Sequence, residues 1–254
     1  MLFLSGLPIW AALLLLVVLP AIVAMGTLIL VRRWVSPPSN NEIAGFKFAT
    51  IGVIYAVLAA FAVIVVWEKF SEAQNAVVHE AGASETLYRL AAGPDPKMAA
   101  ARAALSNYLK TAIDREWPRM AREEGSHEAT EALAALYAAV LRLPEAAPGQ
   151  TPLLIEMFRQ IDTITQARRT RLHLATGIVP PIIWLVLFSG AGLTVAFTFF
   201  FETKNLRAQV LMTGALSVLT FMALFVIVEI DHPFTGPSYV HSDPLKDVLQ
   251  ENGP

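Results

Sequence analysis

Ile51–Trp67, IGVIYAVLAAFAVIVVW, carries no charge and runs into Glu68–Ala81, EKFSEAQNAVVHEA, without a glycine or proline. The first stretch is apolar enough to cross a bilayer. The second keeps helical spacing while turning polar, and the first breaker is Gly82. One long helix is therefore expected, beginning near Gly45, crossing the membrane and continuing into a soluble helical region. Along its apolar part, Ile51, Ile54, Leu58, Phe61 and Val65 recur at intervals of three and four and form a bulky stripe. Two readings fit that stripe. It is lipid contact or bundle core, or it is the wall of a narrow apolar pore that gates by dewetting.

The composition agrees with a membrane protein. Of 254 residues, 55% are hydrophobic and 16% charged, and the mean hydropathy is +0.53. The formal net charge is −2, with both signs mixed, which gives a nucleic acid nothing to bind. There is no cysteine, so disulfides, thiol chemistry and cysteine-held metals are excluded.

Three further apolar stretches are long enough to span. Leu7–Val31 is the first; Pro20 predicts a kink within it, and Arg32, Arg33 and Trp34 close it as interface anchors. The third is expected over Leu172–Phe200, bent near Pro180 and Pro181, with Gly190–Gly192 as a close-packing patch. The fourth runs from Leu206 to Ile230 and ends at Asp231-His232-Pro233. Loops are expected at Ser36–Asn41, Gly93–Pro96 and Pro144–Pro152. The fold class is thus all-α: an integral membrane protein with four transmembrane helices and a helical soluble insert between the second and third. The divisions are 1–68 (helices 1 and 2), 69–171 (soluble domain, continuous with helices 2 and 3), 172–230 (helices 3 and 4) and 231–254 (a C-terminal strap or tail). Both termini and the insert then share one side of the membrane. Basic residues balance between the sides, and only the Arg32–Arg33 pair leans towards short loops inside.

Catalytic patterns are missing. The sequence has no phosphate-binding glycine loop, no HExxH and no GxSxG, so neither catalytic nor metal residues nor a cofactor are expected. His79 and Glu80 are adjacent and face apart on a helix, which makes a poor metal pair. The spans hold no ionisable residue in their middles, and Glu229, close to the end of the fourth, is the nearest; proton-driven pumps place such acids in span interiors. Arg168, Arg169 and Arg171 cluster where the insert approaches the third span. They suit lipid head groups, or an anion-attracting ring if several subunits surround an axis. Glu116, in Glu116-Trp117-Pro118, is expected to pair with an arginine such as Arg89 or Arg119.

Taken together, AGFKFATIGVIYAVLAAFAVIVVWEKF, AVVHEAGASETLYRLA, DREWPRMA, ARRTRLHLATGIVPPIIW and EIDHPFTGP resemble the bestrophin-like family, over residues 5 to 240. Bestrophins proper are more distant relatives. That resemblance implies a homopentameric anion channel with four membrane helices per subunit and a helical cytosolic domain. It implies that the second membrane helix supplies an apolar neck, which makes Ile54, Leu58, Phe61 and Val65 neck candidates, and it places termini and insert in the cytosol. Where animal bestrophins carry an acidic calcium-binding cluster, Pro237, Ser238, Tyr239 and Val240 stand here, so calcium gating is not implied. The function expected is passive anion (chloride-like) conduction by a homo-oligomer in a bacterial inner (plasma) membrane. Membrane lipid and inorganic anions are the other partners. The alternative is a non-conducting scaffold whose soluble domain binds a partner.

Overall fold

The computed structural model describes residues 6–34, 41–93, 95–143, 151–201 and 203–252. Among them every regular element is helical. Of the loops expected at Ser36–Asn41 and Pro144–Pro152, residues 36–40 and 144–150, together with Pro94 and Glu202, lie outside the described residues, while Asn41, Thr151 and Pro152 are helical. In chain order the helices are α1 (Ile9–Trp34), α2 (Asn41–Leu90), α3 (Pro96–Thr111), α4 (Trp117–Met120), α5 (His127–Leu141), α6 (Thr151–Ala175), α7 (Pro181–Phe197), α8 (Leu206–Ile230) and α9 (Asp243–Asn252). Four of them, α1, α2, α7 with its 3₁₀ extension to Phe200, and α8, are long and apolar enough to span a membrane.

α2 runs unbroken through Gly82 as one 50-residue helix. A single glycine costs a helix only about 1 kcal/mol, which continued packing on both sides outweighs. The two internal prolines are accommodated alike. A π-turn at Leu14–Val18 precedes Pro20, and another at Ala112–Glu116 precedes Pro118. Proline lacks an N–H and its ring collides with the carbonyl four residues back; a wide turn just before it relieves both problems. The kink expected at Pro20 is thus a π-turn.

The third span differs from expectation. Instead of one bent helix from Leu172, α6 ends at Ala175 and α7 starts at Pro181, with the prolines in the gap. Pro181 sits at the first turn of α7, where its missing N–H costs nothing. The Asp231 carboxylate accepts from the backbone N–H of Ile178 (3.0 Å) and Val179 (2.8 Å), which fixes the entry to α7.

The chain divides into two compact units. One comprises residues 1–68, 178–231 and 236–238; the other comprises 69–177, 232–235 and 239–254. In the first, Tyr55, Ala59 and Val66 of α2 pack with Trp184, Leu187 and Ala191 of α7 and with Leu224, Ile227 and Val228 of α8. Small residues bring these backbones close, as helix association in lipid requires. A Cβ on Gly190 would lie 2.7 Å from the Tyr55 ring, and one on Gly214 would lie 2.8 Å from Met25 Sδ. In the second unit, Leu87, Tyr108, Leu109, Leu136, Met157, Ile161 and Ile164 are fully buried in one core. Each contributes about 1.5–3 kcal/mol of burial. Asp95 caps α3 through Lys97 N (2.8 Å) and Ser126 caps α5 through Ala129 N (3.2 Å).

Candidate functional site

Within the membrane-spanning unit, α2 presents an apolar face that the chain does not cover. Only 17% of its most apolar window is buried within the chain. Tyr55, Ala59 and Val66 face inward, with Ala62 and Val63 partly covered. Val53, Ile54, Val57, Leu58, Phe61, Ile64 and Val65 are exposed, and Ile51 is half-buried. At about 100° per residue these exposed side chains form one continuous arc. The direction opposite the buried face passes through Val57 and Ile64, flanked by Val53 and Phe61. Ile54, Leu58 and Val65 lie to one side of that line. There Ile51, Ile54 and Leu58 join Val186, Ser189 and Leu193 of α7 around an open groove of about 540 Å³. Sequence periodicity found the bulky stripe but missed Val53, Val57 and Ile64. They are as apolar as the residues of the stripe, and only the packing of Tyr55 and Ala59 tells the faces apart.

The arginine cluster divides. Arg169 is exposed, whereas Arg168 and Arg171 are buried in the core of the second unit. Arg171 donates from Nε to Glu80 Oε2 (2.9 Å) and from Nη2 to both Glu80 Oε1 and Glu116 Oε2 (3.1 Å each). Arg168 donates from Nη2 to Glu116 Oε1 (2.6 Å) and to Thr130 Oγ1 (3.0 Å). Glu116 also accepts from the Ser126 N–H (3.2 Å), and the Tyr108 hydroxyl donates to Glu80 Oε1 (2.5 Å). The Arg171 guanidinium lies 4.5 Å from the Trp117 ring centroid. Glu116 thus pairs with neither expected partner: Arg89 bonds Glu85 and Arg119 lies by Glu128. Glu80, read from the sequence only as a poor metal ligand, is one of the cluster's two carboxylates. Two carboxylates matched by two guanidiniums, tied across α2, the π-turn before α4, α5 and α6, fix helix register.

Protonation states follow from these contacts. Burial pushes the Glu116 carboxyl up, but the Arg168 hydrogen bonds and the charges of Arg171 and Arg168 outweigh it and hold it below the usual carboxylate range. Burial disfavours charge on Arg171 and Arg168, yet Glu80 and Glu116 keep both guanidiniums firmly protonated. Burial, then the negative charge of Glu80, raises the Tyr108 hydroxyl well above its ordinary value.

The motif residues near the C-terminus converge on the same place. Trp117 Nε1 donates to the Val240 carbonyl (3.1 Å), and its ring meets Phe234 edge to face. His232 Nε2 lies 3.2 Å from Glu123 Oε1, and Thr235 Oγ1 donates to the Ala121 carbonyl (3.2 Å). Glu123 has a positive φ of 63°, unusual for a non-glycine residue, in the turn that this strap covers. His79 is exposed and its neighbour Glu80 buried, facing apart as expected. Among the described residues no cluster of acids and histidines could hold a metal.

No curated protein sequence matches this chain significantly. Solved structures do. A point variant of a bacterial bestrophin homologue from Klebsiella pneumoniae superposes with a TM-score of 0.72 at 18% identity, covering 97% of this chain and 99% of that one. Another variant of that homologue gives 0.68 at 19% identity, covering 95% and 98%. A crystal structure of a membrane protein point variant gives 0.72 at 17% identity, covering 97% and 99%. At such identity the likeness speaks for the fold. The model of the bestrophin-like domain matches residues 17–245, nearly the whole chain, and on that ground the chain belongs to the bestrophin-like family.

Proposed function

We propose that this protein is a homo-oligomeric, passive ion channel whose pore is lined by α2. The observation that carries the reading is the uncovered apolar arc of α2: a helix flanked on one side by its own bundle, bare on the other, and uncharged from Ile51 to Trp67. Around a symmetry axis such a face makes a narrow, poorly wetted constriction, which conducts only when widened or hydrated. Family membership supports the same reading. By the family resemblance the assembly is a pentamer, the permeant species is an inorganic anion such as chloride, and the site of action is a bacterial inner membrane.

The candidates Ile51, Ile54, Leu58, Phe61 and Val65 then divide by position. Phe61, with Val53, Val57 and Ile64, points most directly away from the bundle and towards the lumen. Ile51, Ile54, Leu58 and Val65 lie on the flank, and a neighbouring subunit or lipid covers them. Arg169, exposed, is the one member of the arginine cluster placed to attract anions or contact lipid head groups.

The experiment is ion flux through purified protein in liposomes, with chloride and a monovalent cation measured separately. The reading expects anion flux that rises when Phe61→Ala or Val57→Ala lowers the dewetting barrier. Unchanged flux of both ions in wild type and variants, from protein shown to be inserted and oligomeric, would favour the scaffold alternative.

A further inference from the structure

Glu229 occupies the last turn of α8 and is 6% exposed. Among the described residues neither carboxylate oxygen has a hydrogen-bond partner. Its chain neighbours Ile227 and Val228 are fully buried in the apolar core of the membrane-spanning unit. The charged groups on the elements packed with it are few, and each is engaged elsewhere, exposed to solvent or at the far end of α8. α8 packs against α1 and α7; residues 9–31 and 181–197 contain no ionisable side chain. At the far end of α8, Arg32 donates to Gln209 and to the Phe201 carbonyl, and Arg207 is also there. On α2, Tyr55 shares the core; beyond Val66, Glu68 is exposed and Lys69 bonds Glu72. Next along the chain, Asp231 holds Ile178 and Val179, and His232 lies against Glu123.

An ionised carboxylate left unpaired in such surroundings is strongly disfavoured, whereas a neutral carboxylic acid costs far less. We propose that Glu229 is a proton-binding site of the membrane-spanning unit, holding its proton while the last turn of α8 stays packed and losing it when that turn opens. The ligand is the proton itself, and this inference does not depend on the conduction reading. The sign follows. Because the packed state binds a proton that the open state releases, raising the pH works against packing at this turn.

The test uses the full chain in liposomes, scanned from about pH 5 to about pH 9, where buried glutamates release protons. Infrared difference spectra between wild type and E229Q should show a protonated-carboxyl carbonyl band at pH 7 that belongs to Glu229. Amide exchange of residues 225–231 should accelerate more steeply with pH in wild type than in E229Q. Should E229Q fail to fold, an apolar carbodiimide, which modifies protonated carboxyls, gives the answer on wild type: an adduct at Glu229 at pH 7 that disappears at alkaline pH. A missing band, or in that case a missing adduct, overturns the proton site. A band present alongside identical exchange profiles overturns its link to packing.

Discussion

The Trp117 ring meets Phe234 edge to face, with centroids 5.8 Å apart. This contact joins the Glu-Trp-Pro segment to the His-Pro-Phe segment, two of the stretches on which the family resemblance rests. On its other side Trp117 covers the Arg171 guanidinium. A tryptophan placed this way is both a core residue and a lid on a buried charge. Trp117→Ala is expected to destabilise the second unit by about 3–5 kcal/mol, with Phe234→Ala in the same range. Thermal melts of the detergent-solubilised protein check this; less than about 1 kcal/mol for either would mean the strap does not hold the core.

Removing one member of the buried charge cluster leaves its partner unpaired. Glu116→Ala should cost about 3–5 kcal/mol, because Arg168 and Arg171 both lose an acceptor where water cannot replace it. In a double-mutant cycle, the variant carrying both Glu116→Ala and Arg168→Leu should lose less stability than the two single changes summed. Strict additivity would show that the two side chains act independently.

Acid should loosen the second unit through Glu116. Its folded value is lowered, so its contribution is complete above the unfolded value of about 4.3 and is lost as the pH falls through the lower folded value. Melting midpoints measured downward from about pH 6 should fall more steeply in wild type than in Glu116→Gln. Parallel curves would assign acid unfolding to other carboxylates.

Two neighbouring glycines should respond differently to the same substitution. Gly190→Ala would place a methyl group 2.7 Å from the Tyr55 ring and force α2 and α7 apart. Among the described residues a methyl group at Gly192 meets nothing within 4 Å. The first should lower the thermal stability of the detergent-solubilised protein and the second leave it unchanged, or slightly improved by helix propensity. Equal effects would mean that the α2–α7 approach is not tight.

Much of this architecture could be read from residues alone. The spans are long uncharged runs, and α2 announces its length by having no glycine or proline between Gly52 and Gly82. What escaped has physical reasons. The gap between α6 and α7 depends on Asp231, far along the chain, capturing the N–H groups of Ile178 and Val179. The partners of Glu116 lie on α6, and charge alone cannot choose among many arginines. Val57 and Ile64 resemble Leu58 and Val65 in every respect a sequence records; which pair faces outward is set by Tyr55 packing on Gly190.

The most direct test of α2 as the pore wall exploits the absence of native cysteine. Single cysteines at Val57, Phe61 and Ala59 would be exposed to a charged, water-soluble thiol reagent while ion flux is recorded. A pore lined by this face predicts that the reagent alters flux through Val57→Cys and Phe61→Cys and leaves Ala59→Cys, buried against the bundle, untouched. Flux that persists unchanged at all three positions would contradict the account and remove α2 from the conduction path.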